Sequence, residues 1–158
     1  MPWQQQVADV AGEIDPRTGR LMYREVRLTV PRQSGKTTLV LAKNVHRMID
    51  ARHFGGRQHL TYVAQTRDKA REKFVDDYIE DLREIPKLRG LWRPRLSNGS
   101  ESIRWKNGSR WGIESTTEKA GHGSTLDVAD IDEAFAQVDA RAEQAMKPAM
   151  ITRPSPQL

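Results

Sequence analysis

A short loop near the start of the chain contains the residue types that bind phosphate groups. Its centre is Gly35-Lys36-Thr37, which lies between an alternating apolar segment at 23–30 and a helical pattern that begins at Lys36. Glycine lets the backbone approach a phosphate closely, and the N-terminus of the following helix offers unpaired N–H groups. The lysine can reach the β- and γ-phosphates, and the threonine hydroxyl can join the shell of a bound Mg²⁺. This pattern predicts a site for ATP and Mg²⁺. The residues expected to contact them are Pro31, Arg32, Gln33, Ser34, Gly35, Lys36, Thr37 and Thr38, here called the phosphate loop.

The phosphate loop departs from the usual pattern and contains an additional cation. Val30 occupies the position of the usual first glycine, so Pro31 and its neighbours must make the turn. Arg32 could stabilise charge in the transition state, hold a neighbouring acidic residue or reach ATP on an adjacent subunit. An ordinary helix start with a solvent-facing lysine is the competing interpretation of Gly-Lys-Thr. The flanking strand and helix patterns favour the phosphate site.

An acidic pair provides the second half of the predicted chemistry. Asp132 and Glu133 follow a strand predicted over 126–131. Asp132 is expected to hold Mg²⁺ through a water molecule, and Glu133 is expected to polarise the attacking water. In a parallel sheet both would lie at the edge where the phosphate loop also lies. Two points stay open: Asp130 shares a strand face with Asp132, and Asp132 could instead cap a helix.

Helical and strand patterns alternate along the chain. Helices are predicted over 3–14, 36–50 and 139–150 and after Thr66, and strands over 23–30, 60–64 and 126–131. This order is typical of an α/β fold with a mainly parallel sheet flanked by helices. The second helix is expected to bury Thr38, Leu41, Ala42, Val45, Met48 and Ile49. The helix after Thr66 is expected to bury Ala70, Phe74, Tyr78 and Leu82.

A hairpin and a basic segment complete the pattern. Asn107-Gly108 lies between two short apolar runs and predicts a β-hairpin near 101–114. Residues 86–100 are predicted to be irregular, and their basic side chains could contact DNA phosphates or simply be solvated. His122, between two glycines, could lie in a mobile loop near the nucleotide or DNA, but a structural turn is the favoured interpretation. The basic side chains, which surround Trp92, are Lys87, Arg89, Arg93 and Arg95.

Composition limits the function classes. The 158 residues suit one domain over 1–158, and the absence of cysteine excludes disulfides and thiolate metal sites. No apolar run approaches the roughly 20 residues that span a bilayer, and the first residues lack the order of a secretory signal. A net charge of +5 suits a polyanionic partner, although solubility alone can explain it.

The motifs together resemble the ATPase domain of tailed-bacteriophage terminase large subunits. The phosphate loop, with an arginine and no leading glycine, is similar to the variant in that family. Trp3-Gln4 is similar to the segment in which a glutamine reads the adenine edge, so Gln4 is the first candidate for that contact and Gln5 the next. The other segments that carry the resemblance are 62–70, 107–110, 121–123 and 132–135.

The resemblance implies a RecA-like P-loop ATPase that acts as a ring of identical subunits. ATP hydrolysis would drive double-stranded DNA into a procapsid in the host cytoplasm, with a portal protein and a small terminase subunit as partners. Residues 1–158 are expected to stop before the coupling motif and nuclease domain of that family, so no nuclease activity is expected. The alternatives are a helicase-like DNA translocase and a nucleotide-binding fragment that is inactive in isolation.

Overall fold

A five-stranded mixed sheet lies at the centre of the computed structural model, in the order β4-β5-β6-β3-β7. The structure describes residues 1–114, 125–133 and 141–158. The strands of this sheet are β3 (His59–Val63), β4 (Trp92–Arg95), β5 (Ser102–Trp105), β6 (Arg110–Glu114) and β7 (Val128–Ile131). A separate pair is formed by β1 (Ile14–Asp15) and β2 (Arg20–Leu21). The described helices are α1 (Pro2–Ala11), α2 (Lys36–Ile49), α3 (Arg67–Glu72), α4 (Glu80–Arg83) and α5 (Arg141–Met150), with 3₁₀ turns at Ala51–Phe54 and Pro86–Leu88.

The sheet is parallel around β3 and antiparallel beyond β6. β3 pairs in parallel with both β6 and β7, whereas β5 pairs antiparallel with β4 and β6. The predicted α/β class and the hairpin are therefore confirmed. The sheet is mixed, with two parallel and two antiparallel strand pairs among the described strands. Gly108 makes the hairpin turn with a φ of +86°. The Asn107 amide donates to the Met48 carbonyl oxygen at 2.6 Å, which fixes the turn to the end of α2.

Residues 23–30 do not form the predicted strand. Their recorded backbone partner is the last residue, Leu158, which donates to the Arg24 carbonyl at 2.9 Å and accepts from the Val26 N–H at 2.9 Å. The preceding residue, Gln157, donates its backbone N–H in the opposite direction, to the Asp127 carbonyl beside β7 at 2.9 Å. The two backbone hydrogen bonds of Leu158 hold residues 24–26 beside it without a named strand. The chain end thus lies between the segment that leads into the phosphate loop and β7.

One face of the sheet is covered by α2 and by a continuous helix over residues 67–83. This second helix consists of α3, a π-helical segment (Lys73–Ile79) and α4. Its predicted buried stripe is confirmed, because Ala70, Phe74, Tyr78 and Leu82 are all at most 1% exposed. Phe74 and Tyr78 pack on Trp111 of β6, with ring centroids 5.2 and 4.7 Å away.

The predicted buried face of α2 is partly wrong. Leu41 and Met48 are buried, but Thr38, Ala42 and Ile49 are exposed, and Val45 is half-buried. Two polar side chains, Asn44 and Arg47, take their place against the sheet. They can be buried because the rest of the fold supplies partners for them. Arg47 donates to the Gln58 amide oxygen at 3.0 Å and to the Ser155 carbonyl, and burial lowers its pKa to about 10.

The other face of the sheet carries a smaller core. α5 packs there against β3 and β7, where the buried apolar residues are Val63, Leu126, Ala129, Ala142, Met146 and Met150. Residues 139–140 of the helix predicted over 139–150 lie outside the described residues. α5 covers only β3 and β7. No described helix covers β4, β5 and β6 on this face.

Sequence patterns missed β4, which lies inside the segment predicted to be irregular. Trp92-Arg93-Pro94-Arg95 alternates over only four residues, and proline usually argues against a strand. β4 can contain Pro94 because it is an edge strand that pairs only with β5. In the part of the chain that the structure describes, no helix is long and apolar enough to cross a membrane.

Candidate nucleotide site

The phosphate loop turns without its usual first glycine. Gln33 adopts a left-handed φ of +57° and Gly35 a φ of +89°, so two residues share the reversal of the chain. The Ser34 hydroxyl donates to the Pro31 carbonyl at 2.7 Å and closes the turn. A non-glycine residue in this conformation typically costs about 1 kcal/mol or more, a cost that is common at ligand-binding loops.

The N-terminus of α2 is open to an anion. Gly35 is the N-cap, no side chain caps the helix, and its first turn contains no acidic residue. The first N–H groups of a helix lack partners within it, and over a 14-residue helix the peptide dipoles add to their positive field. A glycine N-cap thus leaves these donors free for phosphate oxygens.

Lys36 and Asp132 meet in an ion pair at the edge of the sheet. The Lys36 ammonium donates to Asp132 Oδ1, and Tyr62 of β3 donates its hydroxyl to Oδ2 at 2.7 Å. The Asp132 backbone N–H donates to the Val63 carbonyl at 2.8 Å, so β3 fixes the aspartate at the end of β7. Burial alone would raise the pKa of Asp132, but the hydrogen bonds from Lys36 and Tyr62 outweigh it and hold the pKa below its usual value. Asp132 is therefore an anion at neutral pH.

Asp130 has its own partners, which answers the question of register. Lys43 donates to Asp130 Oδ1 at 2.7 Å and Asn44 donates to Oδ2 at 2.5 Å. Asp130 and Asp132 do share the face of β7 that α2 covers, but α2 binds them at different turns. Asp130 ties the middle of α2 to the sheet, and Asp132 remains at its N-terminal end.

Glu133 is half-exposed and has an unusual backbone. Its φ of +50° is left-handed, and its N–H donates to Asp132 Oδ1 at 2.9 Å. A glutamate rarely adopts this conformation, and such strain is concentrated at functional sites. This strained residue directly follows Asp132, two positions after the end of β7 at Ile131.

The remaining predicted residues lie at the surface of the loop. Pro31, Arg32, Gln33 and Thr38 are exposed, and Thr37 is half-buried beside Lys36. Arg32 forms no salt bridge or hydrogen bond with the described residues. Its guanidinium can therefore reach outwards to a ligand or to another molecule.

The two candidate glutamines differ in position. Gln4 lies against the phosphate loop, and its side-chain amide donates to the Gly35 carbonyl at 2.8 Å. A Cβ on Gly35 would lie 2.8 Å from the Gln4 amide nitrogen, so only glycine allows this approach. Gln5 is exposed and donates to Asp9 of its own helix at 2.7 Å. Of the pair, Gln4 is the one that the structure brings to the loop.

Three neighbours of the site were not predicted from the sequence. Tyr62, Lys43 and Asn44 all contact the acidic residues of β7, and the parallel register pairs Tyr62 with Asp130. An alternating pattern on β3 could have predicted that Tyr62 lies on the α2 face. It could not have predicted which aspartate the Tyr62 hydroxyl binds. The predicted turn at Gly121, His122 and Gly123, and the motif residues Ala134 and Phe135, lie outside the described residues.

The chain is similar to one family of known proteins and to several solved structures. The family described as terminase large subunit, T4-like-virus type, N-terminal matches residues 28–155. No curated protein matches the chain. The large terminase of bacteriophage HK97 has a TM-score of 0.70 at 15% identity, over 98% of this chain and 36% of that one. The large terminase of a thermophilic bacteriophage, solved in complex with ADP, has a TM-score of 0.66 at 15% identity, with the same two coverages.

A third structure is an isolated domain. The ATPase domain of the large terminase of Thermus phage P74-26 has a TM-score of 0.64 at 18% identity, over 96% of this chain and 66% of that one. At these identities the structures show a shared fold. The chain spans about a third of the HK97 protein and of the ADP-bound terminase. The match over residues 28–155 shows that this chain belongs to the family of terminase large subunits, of which it represents the N-terminal domain.

Proposed function

We propose that this chain is the ATP-hydrolysing motor domain of a viral DNA-packaging terminase. The observation that carries the proposal is the contact between Lys36, at the open N-terminus of α2, and Asp132, at the end of β7. A phosphate-binding cation and a metal-binding carboxylate thus share one cleft, as phosphoryl transfer requires. Family membership and the ADP complex of the relative from a thermophilic bacteriophage support the choice of an adenine nucleotide.

ATP would replace Asp132 as the partner of Lys36. The N–H groups at the start of α2 would bind the phosphates, and Lys36 would move from Asp132 to the β- and γ-phosphates. The Thr37 hydroxyl and the released Asp132 carboxylate would hold Mg²⁺, which neutralises charge on the phosphate oxygens when it is bound. These oxygen donors suit Mg²⁺, and the depressed pKa keeps Asp132 ionised for this role.

Two side chains are assigned to the chemical step. Glu133 would accept a proton from the attacking water, and the turn at its positive φ sets it one residue beyond Asp132. Arg32 would stabilise the charge that develops on the transferred phosphoryl group, either in its own subunit or in a neighbouring one. Gln4, held against the loop, is the better placed of the two glutamines to read the adenine edge.

The first test removes the proposed base. Glu133→Ala should leave ATP binding within about twofold of wild type and lower turnover by at least about a hundredfold, the usual contribution of a general base. ATP titration and phosphate release measure the two quantities separately. Glu84→Ala, which removes an exposed glutamate far along the sequence, is the matched control. Hydrolysis by the Glu133 variant at the wild-type rate would refute the assignment, and ATP binding without turnover in the wild-type chain would indicate an inactive nucleotide-binding fragment.

The motor role would require partners that the chain must meet in the host cytoplasm. We infer that it acts in a ring of identical subunits on double-stranded DNA, with a portal protein and a small terminase subunit. The test is ATP-dependent DNA packaging by the complete large subunit on portal-bearing procapsids, with Glu133→Ala as the inactive comparison. DNA strand separation in place of packaging would indicate a helicase-like translocase instead.

A further inference from the structure

Three arginines form a row across the antiparallel half of the sheet. In the strand register, Arg93 of β4 pairs with Arg104 of β5, and Arg104 pairs with Arg110 of β6. Residues paired in this way project from the same face, and neighbouring strands are about 4.8 Å apart. The row is therefore about 10 Å long at the backbone. Arg95 lies two residues along β4 on the same face and widens the row into a patch.

This patch lies on the half of the face that α5 does not cover. All four arginines are exposed, whereas the apolar side chains of these strands, such as Ile103 and Trp111, are buried on the opposite face. Beside this row, Arg95 pairs with Ser102, and Ser102 pairs with Gly112, so two small residues continue a second row across β5 and β6. Among the described residues of β4, β5 and β6, this face carries the four arginines, Ser102, Gly112 and, at the end of β6, Glu114, and no large apolar side chain.

The positive charges of the patch are not neutralised within the described residues. None of the four arginines forms a salt bridge there, in contrast to Arg67 and Arg71, which share the buried Glu101. The neighbouring His59 responds to this positive field. Burial is the main cause of its lowered pKa, and the positive charge of Arg110 lowers the pKa further. With no partner among the described residues, the four guanidinium groups leave this surface positively charged and available to an external anion.

We propose that Arg93, Arg95, Arg104 and Arg110 form a contact surface for the phosphate backbone of duplex DNA. Guanidinium groups bind phosphates in a bidentate manner, and duplex DNA carries one negative charge per about 1.7 Å of its axis. A protein partner would normally require an apolar centre in its interface, and the described residues of β4–β6 offer none on this face. The choice of DNA rests on the proposed function, but the location of the surface rests on the strand register.

Binding of duplex DNA to matched variants tests the surface. The probe is a fluorescent 30-base-pair duplex of mixed sequence, titrated with the chain over a series of salt concentrations. The test variant carries Arg93→Gln, Arg104→Gln and Arg110→Gln. The control variant carries Arg20→Gln, Arg24→Gln and Arg52→Gln, which remove the same charge from exposed arginines outside β4–β6 and the segment 86–100. Circular dichroism and ATP titration check that both variants keep the fold and the nucleotide site.

The surface predicts a specific salt dependence. The test variant should bind the duplex at least about tenfold more weakly near 0.1 M salt, and its log–log salt slope should fall by about 3, one unit for each lost phosphate contact. The control variant should retain the wild-type slope to within about one unit. Equal losses in the two variants would overturn the proposed surface and leave only a general effect of charge.

Two further outcomes would also overturn the inference. If the wild-type chain binds ATP but not the duplex, the patch is not a DNA surface, while the ATPase assignment stands on its own test. If poly-glutamate competes as well as an equal charge of duplex DNA, the patch is not selective for phosphate groups. If Glu133→Ala loses ATP turnover but binds the duplex as the wild-type chain does, the ATPase assignment and the DNA surface are supported independently of each other.

Discussion

Two donors hold the Asp132 carboxylate, and each acts on a different oxygen. Lys36 must leave Oδ1 when a nucleotide binds, whereas nothing in the proposed chemistry requires Tyr62 to leave Oδ2. The phenol is 2% exposed and packs edge-on against Tyr78, with ring centroids 5.4 Å apart. Burial raises the pKa of Tyr62 far above neutrality, so the group stays a hydrogen-bond donor. Tyr62 is therefore expected to position the carboxylate that we propose as the Mg²⁺ ligand.

Removal of this hydroxyl should affect metal binding more than nucleotide binding. Tyr62→Phe is expected to raise the Mg²⁺ concentration needed for half-maximal ATP turnover by about tenfold, since partners that orient a ligand typically contribute 10–100-fold to metal affinity. A Mg²⁺ titration of phosphate release measures the change. Tyr78→Phe removes a neighbouring phenol that does not bond Asp132 and is the control. An unchanged Mg²⁺ requirement in the Tyr62 variant would show that Lys36 and the backbone position Asp132 without help.

The helix over 67–83 is attached to the antiparallel half of the sheet through one buried carboxylate. The Glu101 side chain is completely buried and accepts hydrogen bonds from Arg67 and, at 3.1 Å, from Arg71. Burial would raise the pKa of Glu101, but its hydrogen bonds and the charge of Arg67 lower it below the usual value. The carboxylate thus stabilises the folded state only while it is ionised.

The sign of this pH dependence follows from the lowered pKa. Stability from Glu101 is fully present above its unfolded pKa of about 4.5 and is lost as the pH falls through the lower folded value. Glu101→Gln should lower the free energy of unfolding at pH 7 by about 1–2 kcal/mol, a modest figure because both arginines are at least a third exposed. Urea unfolding at several pH values measures the difference, which should shrink in acid. A constant difference from neutral to acid pH would contradict the argument.

The sequence predicted those elements that local periodicity determines. The stripe from Ala70 to Leu82 and the Asn107-Gly108 hairpin are confirmed because spacing and turn chemistry act within a few residues. β4 was missed because its strand character comes from pairing with β5 and not from its own residues. The buried face of α2 was partly wrong because Asn44 and Arg47 are buried by distant partners, Asp130 and Gln58. The positions of Lys36 and Asp132 followed from topology, whereas the contact of Tyr62 required the actual register.

At the scale of the whole molecule, the last residues connect parts that are far apart in sequence. The Gln157 side chain is 3% exposed and donates to the carbonyl oxygens of Ala11 at 2.8 Å and Tyr23 at 3.3 Å. Its backbone bonds to β7 at the same time. Gln157 therefore holds α1, the segment after β2 and the central sheet together.

Loss of this side chain should destabilise the whole fold. Gln157→Ala leaves the buried Ala11 carbonyl and the partly buried Tyr23 carbonyl without this partner, which typically costs about 1–3 kcal/mol. Urea unfolding should show a lower midpoint with an unchanged slope. Gln65→Ala, at an exposed position, is the control and should change the midpoint little. Equal midpoints in the two variants would show that water replaces the Gln157 amide.

Gln157 and Leu158 also lie between β7 and the segment that leads into the phosphate loop. Gln157 bonds to β7, which ends at Asp132, and Leu158 bonds to residues 24–26, which lead into the phosphate loop. Because the two residues bond on both sides, β7 and residues 24–26 lie two strand spacings apart, which is about 10 Å. A slip of one residue along either side would shift the loop by about 3.3 Å relative to Asp132, which is enough to separate it from Lys36. The alignment of Lys36 with Asp132 thus depends on a segment that lies outside the phosphate loop and outside β7.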